Sequence, residues 1–422
     1  MSRLEGLAAY IAVTAAYWTF MLTDGALRML VLLHFNTLGF SPIQLAYLFV
    51  LYEIAGVITN LSAGWIAARF GLTSTLYAGL ILQVIALVAL AFLDSSWTIT
   101  LSVIFVMLVQ GLSGVAKDLA KMSSKSAVKL LAPEEDAGLF RWVAILTGSK
   151  NAVKGCGFLI GAVALGVIGF VPAVLGMAAI LFVILVVLLL RMPSGLPTGK
   201  KGAKFKEVFS KDRNINWLAL ARVFLFGARD VWFVVGIPIY FYSVLSDGTP
   251  EGNRAAFFMV GTFMAVWIIL YGAVQASAPK LLRAKEKSEA QIVGEARFWV
   301  GALFFVPLAL TIAAYIAGAP ALWLIITVVI GLLAFGGLFA LNSSLHSYLI
   351  LAFTSSDRVT MDVGFYYMAN AAGRLIGTLL SGISYQLGGL PLCLGIAAAM
   401  IALSWASIGN VKHKPEPAHA PG

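Results

Sequence analysis

Charge is scarce in this chain: 11% of its 422 residues are Asp, Glu, Lys or Arg, against 60% hydrophobic. A soluble core of that length would be wrapped in far more charge, so a soluble globular protein is excluded. Cysteine is nearly absent. Cys156 and Cys393 fall in opposite halves of the chain without metal-ligand spacing. They read as small packing residues, and neither a metal nor another cofactor is expected. There is no H-E-x-x-H pattern, no Ser, His and Asp grouped as a triad, and no sizeable polar domain that could act as a sensor. A membrane enzyme or receptor therefore has no support in the sequence.

What the sequence has is a series of apolar runs, with a mean hydropathy of +0.93. Runs of roughly 20 residues are the length of membrane-crossing helices, and they lack the alternation of a membrane barrel. Counting them predicts an all-α membrane protein of about twelve transmembrane helices. Composition shifts sharply between Met192 and Asn214, where two prolines stand among a run of lysines. That stretch is expected to be a cytoplasmic linker between pseudo-symmetric six-helix bundles at 1–191 and 215–410, with a disordered tail over 411–422.

The excess of 29 Lys and Arg over 19 Asp and Glu would suggest nucleic acid in a soluble protein, but here it follows topology. Alternate connections, around Asn36 to Pro42, Leu93 to Ser96, Gly169 to Pro172, Gly318 to Pro320 and Gln386 to Pro391, carry no Lys or Arg, and Arg254 is an exception in the turn after the seventh span. The other connections hold Arg69, Lys125, Lys129, Arg191, the lysines of the linker, Lys280, Arg283, Arg358 and Lys412. This positive-inside pattern places both termini in the cytoplasm, and no nucleic-acid partner is expected. The first span runs past the length of a signal-peptide core, with Asp24 and Arg28 inside it, and is expected to be retained.

Charges inside the spans carry the functional signal, because each costs roughly 2.5 to 3.5 kcal/mol to insert and needs a partner, a watery cavity or a charged ligand. Arg28, Lys150, Lys154, Arg229 and Arg374 stand near span centres, against Asp24, Glu53 and Asp230. Asp24 and Arg28 are four apart and can neutralise one another on one helix face. Lys150 and Lys154 share a face of the fifth span, as do Lys117, Lys121 and Lys125 on the fourth. The surplus of positive charge predicts an anionic substrate, since Arg suits multi-oxygen groups and Lys acts as a point charge. Arg28, Lys150, Lys154, Arg229 and Arg374, with Asn342 and Tyr271, are the candidate substrate contacts. Lys117 and Lys121 are expected at the cytoplasmic entry, and Asp24, Asp230 and Glu53 are the candidates for proton coupling. The bland reading of the same residues is internal ion pairing. His346 reads either as a helix-to-helix hydrogen-bonding residue or as a proton or substrate contact. The row Gly56, Asn60, Gly64 reads as helix packing.

Two levels of resemblance add to this. Gly64-Trp65-Ile66-Ala67-Ala68-Arg69-Phe70-Gly71 resembles the loop motif between the second and third helices of the major facilitator superfamily, with Ala68 where that pattern has Asp and Leu72 and Thr73 where it has basic residues. Gln110-Gly111 is similar to that family's fourth-helix motif, with Met107 where an Arg is common. More specifically, the strings Thr23 to Leu30, Gly114 to Met122, Lys125-Ser126, Lys129 to Leu131 and Arg141 to Asn151 resemble the ArsJ family of arsenic-resistance permeases. The second half fits mainly through Gly227 to Asp230 and Asn370 to Arg374. The resemblance implies a monomeric transporter of the major facilitator fold in the bacterial inner membrane. Its implied role is export of the organoarsenical 1-arseno-3-phosphoglycerate, with a functional link to glyceraldehyde-3-phosphate dehydrogenase, which makes that compound when it uses arsenate. The alternative is a transporter of ordinary organic phosphates or carboxylates such as 3-phosphoglycerate.

Overall fold

The computed structural model describes residues 3–131, 138–192, 210, 212–283, 287–354 and 359–412. Most of the expected linker, the tail from His413, and Arg358 lie outside the described residues, as do the side chains of Lys125 and Lys129. Among the described residues every regular element is a helix. In order they are α1 (Arg3–Thr37), α2 (Pro42–Tyr47), α3 (Val50–Leu90), α4 (Ile99–Leu131), α5 (Gly138–Ile168), α6 (Phe170–Arg191) and α7 (Arg213–Val231). A π-helical turn at Trp232–Gly236 leads into α8 (Ile237–Leu245), followed by α9 (Pro250–Leu281), α10 (Glu289–Ala317), α11 (Leu322–Phe353) and α12 (Val359–Gly409).

Nine stretches among the described residues are long and apolar enough to cross a membrane, the two limbs of α3 counting separately. One of them, Asp362–Gly409, reverses at Gly388 and Gly389 and so crosses twice. Helix α1 and the path from α7 to α8 complete the expected twelve; polar residues such as Asp24 and Arg28, or Arg222, Arg229 and Asp230, dilute their hydropathy. The reversal inside α3 falls at Gly71, whose φ of 75° is a left-handed conformation that glycine adopts without a Cβ clash.

Two spans are interrupted, and one residue expected in a turn is helical. The second span breaks after Tyr47, where Leu48 and Phe49 close a turn through amide bonds to Gln44 and Ala46 carbonyls. Arg254, expected in a turn, lies in the second turn of α9, because Thr249 caps that helix and Pro250 starts it. Asp247 braces the same cap: the Thr249 hydroxyl and then its amide donate to the carboxylate and hold it below its ordinary range. The seventh span contains the π turn. Its freed amides are not orphaned, since those of Val235 and Gly236 both donate to Ser381 Oγ of α12 at 3.1 Å.

Two hydrophobic cores organise the bundle. One is built mainly by α1 to α6 around Phe20, Leu30, Phe35 and Leu80. The other is built mainly by α7 to α12 around Trp232, Trp267, Phe335 and Phe339. Within each half a helix pair approaches at glycine. Gly157 and Gly161 of α5 lie so close to α1 that a Cβ would meet the Leu22 and Ala26 carbonyl oxygens at 2.3 and 2.2 Å. A Cβ at Gly373 or Gly377 of α12 would likewise meet the Val223 or Gly227 carbonyl oxygen of α7, at 2.2 and 2.5 Å. Between the halves, α5 packs on α9 through Gly155 and Gly261, and α3 packs on α12.

Candidate functional site in the bundle centre

The close glycine contacts bring the intramembrane charges together. Because α5 sits directly on α1, Lys154 Nζ reaches Asp24 Oδ2 at 2.6 Å, and the Tyr52 hydroxyl of α3 donates to Asp24 Oδ1 at 2.6 Å. In the other half, α12 on α7 brings Arg374 to Asp230, with Nε 3.4 Å from Oδ2. The pairs are equivalent by position, since Lys150, Lys154 and Gly157 of α5 have the spacing of Asn370, Arg374 and Gly377 of α12.

Glu53 joins the halves. Its Oε1 accepts from Arg28 Nη2 of α1 at 3.0 Å and from Arg374 Nη2 of α12 at 2.7 Å. Arg374 continues to Asp230, and Asp230 Oδ1 is bound by Arg229 at 2.6 Å. A chain of alternating sign therefore runs Arg28, Glu53, Arg374, Asp230, Arg229 from the first half into the second. Aromatic faces support its ends: the Arg28 guanidinium lies 5.0 Å from the Phe49 ring and 5.5 Å from Tyr52, and Arg229 lies 4.9 Å from Phe226 and 5.5 Å from Phe339. The neighbouring pair expected at Asp24 and Arg28 is thus replaced. Lys154 and Glu53, arriving from other helices, offer shorter and better-directed partners than an i,i+4 contact on one helix surface.

Lys117, expected at the mouth, lies deep. It is 93% buried by its 7% exposure, its Nζ is 4.0 Å from the centre of the Tyr52 ring, and it faces Glu53, Asp24 and Arg374 electrostatically. Lys121 is one turn further along and more open, 3.5 Å from Asp118 and 5.3 Å from the Tyr367 ring. Asn60, read from its row as packing, donates to the Gly56 carbonyl and accepts from Lys121 Nζ at 2.7 Å. Lys150 is half-buried on α5 one turn before Lys154. Beside it Asn151 donates to Gln275 of α9 at 3.3 Å, and Gln275 donates to Ser343 Oγ of α11 at 3.3 Å.

Arg222 is the cation that the sequence reading missed. It is 3% exposed, donates to the Ser343 carbonyl at 3.1 Å and stands over the rings of Phe226 at 4.0 Å and Tyr366 at 4.7 Å. Its spacing carried the signal, because it precedes Arg229 by two helical turns on one face of α7. Tyr271 stacks on Trp267 and lies beside Phe339. Asn342 is fully buried and turns its amide to the Leu338 carbonyl at 3.0 Å, and His346 is fully buried one turn on. Neither Asn342 nor His346 makes a contact with the ion chain. Cys393 donates to the Val231 carbonyl, and Cys156 is exposed, so no thiol faces the charged centre.

Arg28, Lys117, Lys121, Lys154, Arg229 and Arg374 thus meet four carboxylates, Asp24, Glu53, Asp118 and Asp230, among the described residues. A profile of the Major Facilitator Superfamily matches residues 9–350. The chain belongs to that superfamily. Several solved structures share this fold at low identity. A POT family transporter in complex with a thioalcohol-conjugated peptide is similar at a TM-score of 0.73 and 15% identity, over 94% of each chain. A bacterial homologue of the iron transporter ferroportin in its inward-facing state gives 0.68 and 14%, over 96% of this chain and 98% of that one. The nucleoside transporter NupG gives 0.67 and 16%, over the same shares. No curated protein sequence matches the chain. The ion chain crosses from one half to the other at Glu53 and Arg374, and in transporters built from two repeats the substrate site lies at the interface between the repeats.

Proposed function

We propose that this transporter exports a small polyanion with phosphate-like oxygens, 1-arseno-3-phosphoglycerate, and so confers resistance to arsenate. The observation that carries the reading is the surplus of buried cations along an ion chain with ends in both halves. Arg28 and Lys154 from one half and Arg229 and Arg374 from the other form the clamp, with Lys150 beside it. Arg374 and Arg28 already hold an internal anion, the Glu53 carboxylate, and an incoming dianion offers them more oxygens than Glu53 does. Displacing Glu53 changes the link between the halves, which is how a substrate biases alternating access. Lys121, more open than Lys117, serves attraction and entry. Pentavalent arsenic in an acyl arsenate presents oxygens only, so a site without thiols suits it.

The same donors suit the phosphate and carboxylate of 3-phosphoglycerate, which is the second reading. The test pairs two assays. Arsenate resistance is scored in a sensitive bacterium with and without co-expressed glyceraldehyde-3-phosphate dehydrogenase, and 3-phosphoglycerate uptake is measured in vesicles of purified protein. Resistance that depends on the dehydrogenase, with slow 3-phosphoglycerate uptake, is the expected result. Fast 3-phosphoglycerate uptake without resistance would replace the arsenical with the ordinary phosphate.

A further inference from the structure

We infer that Asp118 of α4 is a proton-binding site, with the Thr59 hydroxyl as the partner that reverses its hydrogen bond, and that its proton is taken up together with the transported anion; the second clause rests on the anion reading above. Asp118 is 1% exposed, and no role was assigned to it by its sequence. The three carboxylates that share the bundle centre with it, Asp24, Asp230 and Glu53, each hold a cation at 2.6 to 2.7 Å. Asp118 does not. Lys121 Nζ is 3.5 Å from Oδ1, Lys117 Nζ is 4.0 Å from Oδ2, and Oδ1 accepts no hydrogen bond.

Thr59 Oγ1 lies 2.7 Å from the Ala55 carbonyl oxygen and 2.6 Å from Asp118 Oδ2. A hydroxyl has one proton and cannot donate to both. If Asp118 is ionised, Thr59 gives its proton to Oδ2 and leaves Ala55. If Asp118 carries a proton on Oδ2, it donates to Thr59, and Thr59 donates to Ala55, so both short contacts are hydrogen bonds. Asn60 is compatible with either state, since its amide has two protons and also reaches the Gly56 carbonyl at 2.6 Å. Switching therefore needs a hydroxyl rotation and no movement of heavy atoms.

The sign of the coupling follows from what faces Asp118. Its own helix presents Lys117 and Lys121. Across from it α3 carries Glu53, held by Arg28 and Arg374, and α1 carries Tyr17 and Asp24, the latter paired with Lys154 of α5. Tyr367 of α12 lies beside Lys121, and α2 presents no charged group. Protonating Asp118 removes the carboxylate nearest Lys117, whose ammonium also lies against Tyr52 next to Asp24. The central site becomes more positive by one charge, so it binds an anion more tightly. By linkage, the anion raises the occupancy of the proton.

The experiment uses the full chain in lipid nanodiscs with 3-phosphoglycerate as probe. Infrared difference spectra across pH, without ligand, are expected to show a protonated-carboxyl band that is absent in Asp118→Asn and displaced in Thr59→Val. Calorimetry in buffers of different ionisation enthalpy should show proton uptake on binding by the wild type, lost in Asp118→Asn. In that variant affinity should stay near the acid value at all pH, about tenfold above the wild type at alkaline pH. A band and a proton uptake unchanged in Asp118→Asn overturn the proposal. If Asp118→Asn fails to fold, a band unmoved by Thr59→Val overturns it equally. If 3-phosphoglycerate does not bind while the band depends on Asp118, the proton site stands and 3-phosphoglycerate falls as a ligand of the central site.

Discussion

At the scale of single residues, Asp24, Arg28 and Glu53 all take their ion-pair partners from other helices. Spacing says that Asp24 and Arg28 can meet; it cannot say that Lys154 and Glu53 arrive from other helices at 2.6 and 3.0 Å and take their places. Arg222 escaped because it lies nearer the end of its span, yet it stands on the face of Arg229. If the clamp binds substrate, Arg374→Ala should weaken 3-phosphoglycerate binding about tenfold to hundredfold, the range of charge-assisted hydrogen bonds. Lys121→Ala should cost less, and its effect should fade in high salt because the group is a quarter exposed, at 24%. Equilibrium binding of both variants in low and high salt checks this. Wild-type affinity in Arg374→Ala would make that guanidinium a structural group.

At the scale of elements, the apolar runs located most of the helices, since length and hydropathy mark a membrane-spanning segment. The π turn was not legible, because its cause lies on another helix: Ser381 accepts the two amides that the wider turn releases. Ser381→Ala should leave both buried amides unsatisfied and lower stability by about 1 to 3 kcal/mol, read as a fall in unfolding midpoint in detergent. An unchanged midpoint would mean that the turn holds itself. The glycine contacts make a sharper case. Gly157→Val would put side-chain atoms onto the Leu22 carbonyl, where a bare Cβ already lies 2.3 Å away. It should therefore force α5 off α1 and separate Lys154 from Asp24, and loss of monodisperse protein on size-exclusion chromatography is the expected result. Gly176→Val of α6, where a Cβ meets nothing within 4 Å, should fold as the wild type does.

At the scale of the whole molecule, repetition was partly legible, in the shared spacing of Lys150, Lys154 and Gly157 with Asn370, Arg374 and Gly377. How the repeats meet was not, since it depends on Glu53 of one half reaching Arg374 of the other at 2.7 Å. Glu53 contributes an anion to a cationic centre, so its removal should act in the opposite sense to removal of a clamp cation. In Glu53→Gln the Arg28 and Arg374 charges lose their shared carboxylate while the side chain keeps its size. Anion affinity should rise, by about tenfold for one charge at this range. Transport should nevertheless fall, because an anion held that firmly leaves slowly and because the internal anion no longer closes the empty carrier for its return. The measurement is binding and vesicle transport of one anion on one preparation of Glu53→Gln, beside Arg374→Ala. Tighter binding with slower turnover in the first, and weaker binding in the second, is the pattern of an internal anion that competes with substrate. If Glu53→Gln instead weakens binding as much as Arg374→Ala does, Glu53 holds the two arginines in place for the substrate, and displacement is not how the halves are released.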